Sequence, residues 1–279
     1  QPLADGFRHE HPRVEWLVQP LDAGGHVDDV AGHLVLPVDR GAHHPGDDLP
    51  AIIAEAAAAT GVSLTDDDVV VVTQKIVSKA EGRLVDLATV EPSDFARDWA
   101  DRWDRDARQV EVVLRESASI VRMGPGGLII SRTRHGLVCA NAGVDVSNVG
   151  AGEVAALLPE DPDASARGIR DGLRSRTGAS PGVIISDSFG RPWRNGIVNV
   201  AIGSAGIESL LDLRGEPDVA GRPMRATIIA VADELASAAD LAGGKVDQRP
   251  VVVVRGFAWR SSDEGASVLV MGPERDLFP

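Results

Sequence analysis

Two uninterrupted runs of four valines, Val69 to Val72 and Val251 to Val254, constrain this chain more than any other feature. β-Branched side chains are stiff at χ1 and pack best on a pleated surface. Each run is too short for a helix and has no polar face, which is the pattern of a strand covered on both sides. Such strands need flanking helices. An alanine-rich helix is expected from Leu49 to Thr60, stopping at Gly61, and another from Asp161 and Pro162 to about Gly178. A third runs from Asp233 to Ala242, and a charged one from Ser93 to Leu114. In the charged helix Phe95, Trp99, Trp103, Val110 and Leu114 mostly recur at helical spacing, so the tryptophans read as core rather than as a base-stacking platform. Further strands are expected at Leu34 to Val38, Val183 to Ser186 and Ala226 to Ala232. Ile120 to Met123, Gly127 to Ser131 and Leu137 to Ala140 lie between Gly and Pro turns and suit an antiparallel meander. The class is therefore α+β, with mixed and antiparallel sheets flanked by helices.

At 279 residues the chain exceeds the usual size of one core, so one large domain and two interlocked lobes both fit. Residues 1–33, rich in His, Pro, Gly and Asp, read as an arm with one edge strand at Val14 to Val18; residues 34–279 form the catalytic body. No repeat and no low-complexity linker divides that body.

Composition narrows the function. A net charge of −14 argues against nucleic acid or an anionic membrane as partner, because both need a broad basic surface. No apolar run approaches the ~20 residues of a membrane span. The chain opens on Gln1 without a cationic and apolar leader, which points to processing or trimming and to a cytoplasmic protein. Cys139 is the only cysteine, so a metal would be held by oxygen. Of 28 basic residues only Lys75, Lys79 and Lys245 are lysines, and all three fall in segments that read as polar loops. A lysine is a compact point charge suited to phosphate, and chance placement is the plainer alternative.

Three polar clusters follow directly on apolar strands, where sheet proteins commonly place their sites. In CANAGVDVSN, small residues let the backbone approach a ligand before Asp145 and Asn148 project; an Asx turn would use the same residues. In VIISDSFGRPWRNG, Asp187 and Ser188 leave a buried strand ahead of Arg191 and Arg194, an arrangement that also suits an N-cap with surface arginines. In LAGGKVDQRP, Gly243 and Gly244 end a helix beside Lys245, as ordinary capping glycines also do. Two carboxylates with a hydroxyl and phosphates suit Mg²⁺ or Mn²⁺, with Asp145 and Asp187 as ligands. Lys79, Lys245 and Arg191 would neutralise charge developing in phosphoryl transfer. Neither G-x-x-x-x-G-K-[ST] nor G-x-G-x-x-G occurs.

Taken in order, VVVVTQKIVSKAEGR, HGLVCANAGVDVSNVG, SDSFGRPWRNG with VAIGSAG, and VADELASAADL with GGKVDQRPVVVVRGF closely resemble the F420-0:γ-glutamyl ligase family, from about Leu34 to Phe278. The resemblance implies an α+β fold in an intertwined homodimer, GTP between lobes and two divalent ions, with K⁺ a further candidate ion. It also implies activation of the F420-0 carboxylate as an acyl phosphate, which the amine of L-glutamate attacks. By position it makes Asp145 and Asp187 first-metal ligands, Ser188 the second-metal hydroxyl, and Asn148, Lys79, Gln74 and the 243–250 loop nucleotide contacts.

The chain departs from the family at Asp39 to His44, where Gly-Leu-Pro is usual, and at Gly196 to Asn199, where Gly-Gln and a polar pair are usual. His43 and His44 are candidate substrate or metal contacts, although exposed loop histidines are ordinarily solvated. A flavin-binding C-terminal domain carried by some relatives is not expected here. Three functions fit these residues: the F420-0 ligase, a paralogous GTP-dependent ligase with another acid or amine, and a nucleotide-binding protein that has lost catalysis.

Overall fold

In the computed structural model, which describes residues 32–38, 44–146, 154–244, 249–272 and 274–276, the two valine runs lie side by side at the centre of a five-stranded sheet. Strand β1 (Gly32–Leu36) is followed by helix α1 (Leu49–Ala59), strand β2 (Val69–Thr73) and helix α2 (Gln74–Ala80). After β3 (Leu84–Asp86) come α3 (Asp94–Trp103), α4 (Ala107–Glu116), β4 (Ser117–Met123), β5 (Ile129–Thr133), β6 (Val138–Ala140) and β7 (Val154–Ala156). Helix α5 (Pro162–Thr177) leads into the long hairpin of β8 (Gly182–Arg191) and β9 (Arg194–Ala205). The short β10 (Leu211–Asp212) and β11 (Ile228–Ile229), helix α6 (Val231–Gly243) and β12 (Val251–Arg255) complete the order.

The main sheet runs β1-β12-β2-β8-β9. Val251 faces Val72 and Val254 faces Val69 in antiparallel register, whereas β2 and β8 are parallel, with Thr73 beside Ser186. The sheet is thus mixed. Alternate residues feed two cores. Val70, Val72, Val183, Ile185, Val251 and Val253 pack under α1 and α5, while Val69, Val71, Ile184, Val252 and Val254 pack under α6. Both faces are covered, which is why eight consecutive-run valines are tolerated without a polar alternate.

At the end of the sheet where β2 begins and β12 stops, Asp68 is fully buried, and both its oxygens accept from Arg255, at 2.7 and 2.8 Å. A buried carboxylate needs such satisfaction. A separate hydrophobic cluster lies where the antiparallel β4-β5-β6 sheet packs with α3 and α4 around Ala96, Ala100, Val110, Val113, Ile129 and Ala142. Arg83 braces the start of β3 by donating to the Leu158 carbonyl at 3.0 Å and pairing with Glu116 at 3.2 Å.

Several expectations need correction. The polar stretch after β2 is the helix α2, so Lys75 and Lys79 are helical rather than in a loop. The helix expected from Ser93 to Leu114 is two. Asp104 takes φ +53 and ends α3, and the Asp106 side chain accepts from the Arg108 amide to start α4. Phe95 is 52% exposed and outside the core, although the Trp99 and Trp103 rings pack against each other in a tilted arrangement, centroids 5.9 Å apart. The strand expected at Val183 to Ser186 continues to Arg191, and residues 194–205, for which no element was expected, form β9. Of Ala226 to Ala232 only Ile228–Ile229 pairs as strand. No described helix is long and apolar enough to cross a membrane.

Candidate active site

The parallel pair β2–β8 ends at Thr73 and Ser186, and the candidate residues gather at that end. Ends of parallel strands are rigid and open to ligands, because the chain must leave the sheet there. From β2 the chain turns directly into α2, which carries Gln74, Lys75 and Lys79. From β6 it passes through a tight turn, Asn141–Gly143, to Asp145.

That turn is strained. Asn141 and Ala142 hold φ of +51 and +52, a region costly for residues bearing a Cβ. Ala142 is 2% exposed in the α3–α4 core, and a Cβ on Gly143 would lie 2.8 Å from Leu158, so packing on both sides holds the shape. Immediately after it, Asp145 is locked to Ala156 by backbone hydrogen bonds in both directions, at 3.0 and 2.8 Å. Its carboxylate, with the side chain 34% exposed, meets Lys75 Nζ at 2.6 Å.

Asp187 and Ser188 lie on β8, one and two residues beyond the end of its pairing with β2. The Asp187 carboxylate accepts from the Ser188 amide at 2.8 Å. It also lies close enough to Cys139 on β6 to act on that thiol, which burial first and the Asp187 charge second push up to about 12. Ser188 Oγ donates to Asn199 Oδ1 at 2.7 Å across the β8–β9 register. Asn199 is 6% exposed, and Ser237 on α6 donates to its carbonyl at 2.7 Å. A register shift after Ile185 turns the Ala201 amide toward α6, where the Asp233 carboxylate accepts it at 2.8 Å; burial raises the Asp233 pKa.

Gln74, 3% exposed, donates to Ser78 Oγ at 2.6 Å and to the Leu157 carbonyl at 3.1 Å, so its amide fastens α2 to the chain after β7. Lys79 is 5% exposed, one turn after Lys75 on the same helix face. Gly243 closes α6; a Cβ there would approach the Arg249 carbonyl to 3.1 Å, and Gly244 takes φ +70. Asn148, Lys245 and His43 lie outside the described residues. The His44 amide donates to Asp47 at 2.7 Å at the approach to α1.

Arg191 is not brought to the carboxylates within one chain. It faces Arg194 at the β8–β9 tip, where its guanidinium donates to the Asn195 carbonyl at 3.0 Å. Four residues of extended strand place it about 13 Å beyond Asp187. A cavity of about 490 Å³ lies between α1, α2 and α5, rimmed by Asp47, Asp48, Glu81 and Asp161. Val77 on its wall is two residues, about 200° of helix, from both Lys75 and Lys79, so it faces away from the carboxylate end.

The sequence did not single out Asn199 as Ser188's partner, or Lys75 as Asp145's. Asn199 had been noted only as a departure from the family, and a polar residue among apolar strand neighbours was the available signal. Among the described residues no three His, Cys, Asp or Glu side chains cluster as a ready-made metal cage. The oxygens of Asp145, Asp187 and Ser188 fit a hard divalent ion that completes its shell from phosphate and water. The carboxylate of Asp145 already accommodates a cation, the Lys75 ammonium.

The sequence pattern of the F420-0:Gamma-glutamyl ligase family matches residues 41–256. Coenzyme F420:L-glutamate ligase of Methanopyrus kandleri is 47% identical over 248 residues, 87% of this chain and 95% of the relative. The enzyme of that name from Methanothermobacter thermautotrophicus is 46% identical over 84% of this chain and 93% of its own length. That of Methanocaldococcus jannaschii is 42% identical over 77% and 86%. With the match running from before α1 to the end of β12 and so over every described segment of the carboxylate end, the chain is a ligase that belongs to the F420-0:gamma-glutamyl ligase family.

Proposed function

We propose that this chain joins the carboxylate of F420-0 to the amine of L-glutamate at the expense of GTP. The observation that carries the reading is the assembly, at one end of the β2–β8 pair, of Asp145 in contact with a cation and Asp187 beside an oriented Ser188. The curated relatives, named for F420 and L-glutamate, supply the substrate class.

In the proposed reaction a carboxylate oxygen of F420-0 takes the γ-phosphoryl group, breaking the bond to the GDP oxygen. The glutamate nitrogen then attacks the acyl carbon, phosphate leaves with its oxygen, and the amine gives up a proton. Mg²⁺ or Mn²⁺, when bound, would supply positive charge that offsets the charge developing in phosphoryl transfer. Asp145, Asp187 and Ser188 would hold it, Asn199 orienting the Ser188 hydroxyl. Lys79 would add positive charge from α2, Asn148 and the 243–250 loop would hold the nucleotide, and Gln74 would shape the floor beneath it. Arg191 would act from the hairpin tip, in keeping with a homodimer whose partner shares the site. No nucleophilic serine or cysteine is needed, because proximity and fixed charge carry the rate. The setting in this reading is cytoplasmic, with K⁺ as a further candidate ion.

The test is mass spectrometry after incubation with F420-0, L-glutamate, GTP and Mn²⁺, with a control lacking GTP. A GTP-dependent gain of one or more glutamyl units is expected, and Asp145→Asn should lower it at least about a hundredfold with an unchanged circular dichroism spectrum. The 56% exposure of Ile197, where the family usually has a polar residue, favours a second reading: a ligase for another acid or amine. GDP release only with other acids or amines would establish that alternative.

A further inference from the structure

Lys75 has no part in the reaction as drawn. It is the second residue of α2, its side chain only 13% exposed, and its ammonium lies 2.6 Å from Asp145 Oδ2. The two partners differ in freedom. Asp145 is fixed by paired backbone bonds to Ala156 on one side and the strained Asn141–Gly143 turn on the other. Lys75 reaches it through a four-carbon stem that can rotate away while its helix stays in place.

A divalent ion at Asp145 would bind a carboxylate oxygen at about 2.0–2.2 Å. An ammonium and a dication cannot share that oxygen face at such distances without strong like-charge repulsion. The ammonium must therefore leave as the ion arrives, and a partly buried lysine leaves readily only toward another anion. The polyphosphate proposed for this end of the sheet is such an anion. We infer that Lys75 is a displaceable counter-ion that makes divalent-metal binding at Asp145 depend on the nucleoside triphosphate. Metal alone must displace the ammonium; metal arriving with polyphosphate gives it a new partner. By linkage the nucleotide should gain from metal by the same factor.

The inference rests on Asp145 being a metal ligand, and the experiment separates the two claims. Mn²⁺ is titrated into wild type, Lys75→Met, Lys75→Gln and Asp145→Asn, with and without a non-hydrolysable GTP analogue, and free Mn²⁺ is counted by electron paramagnetic resonance. Without nucleotide, both Lys75 variants should bind Mn²⁺ about tenfold more tightly than wild type, and the nucleotide should enhance their binding less. Two lysine substitutions are used so that a perturbation of α2 by one of them, which circular dichroism detects, leaves the other to report. Folded Lys75 variants with wild-type Mn²⁺ affinity and wild-type enhancement, alongside an Asp145→Asn that has lost Mn²⁺, overturn the lysine's role and leave the metal site standing. An Asp145→Asn that binds Mn²⁺ like wild type overturns both.

Discussion

Helix α5 offers two additions of one methyl group that should have opposite signs. Gly168 and Gly172 are four residues apart on this 16-residue helix, and neither has positive φ. Alanine at either position gains about 0.8–1 kcal/mol of helix propensity. A Cβ on Gly168 meets nothing within 4 Å, so Gly168→Ala should keep the full gain. A Cβ on Gly172 would lie 2.5 Å from both Cβ and Cγ of Pro50, at the start of α1. A pyrrolidine ring cannot rotate aside, and overpacking of this kind costs about 1–3 kcal/mol. Gly172→Ala should therefore be destabilising by up to about 2 kcal/mol, opening a gap of roughly 2 kcal/mol between the variants. Urea unfolding followed by far-ultraviolet circular dichroism resolves that gap as a midpoint shift at constant slope. Pro50→Ala in the Gly172→Ala background should restore most of the loss, as coupled neighbours do. If both glycine variants were equally stabilised, the close seating of α1 on α5 would be refuted.

Other outcomes follow from single side chains. Because burial holds the Cys139 thiol near pKa 12, native protein at pH 8 should resist a disulfide reagent and react fully in urea; quick native labelling would contradict its placement. Arg255→Met strands the fully buried Asp68 and should cost about 3 kcal/mol, read from the urea midpoint. Asn199→Ala removes the acceptor of Ser188 and should raise the Mn²⁺ needed for half-maximal turnover about tenfold, with little change in fold stability beyond about 1 kcal/mol. An unaltered metal requirement would detach Asn199 from the site.

What the sequence revealed, and what it concealed, divides along the range of the interactions. The valine strands and helices α1 and α5 were legible because their signals are local: unbroken β-branched runs, and Asp48 and Asp161 capping helices that open with proline. Helix α2 was not, because its seven residues begin where β2 stops and leave no room for a periodic pattern. The break between α3 and α4 depends on one aspartate taking positive φ, which apolar spacing does not register. Strand β9 was hidden by small residues, needed where a Cβ on Gly203 would come within 2.3 Å of the Pro162 carbonyl oxygen. At the site, Asp145, Asp187 and Ser188 announced themselves by following strands. The pairings Lys75 with Asp145 and Ser188 with Asn199 are made only by the fold.

The turn ahead of Asp145 gives the α3–α4 cluster a purpose beyond bulk. Two residues with Cβ atoms sit in left-handed conformation there, a deformation worth about 1–2 kcal/mol each, and the α3–α4 core is what keeps them wound. That core works as a clamp on a spring. Loosening it with a small cavity at Val110 or Val113, which share a cluster with Ala142 of the turn, would let the turn relax and carry the carboxylate off its mark. If Asp145 holds metal as proposed, damage in this cluster should register as a raised metal requirement before it registers as a lower melting temperature.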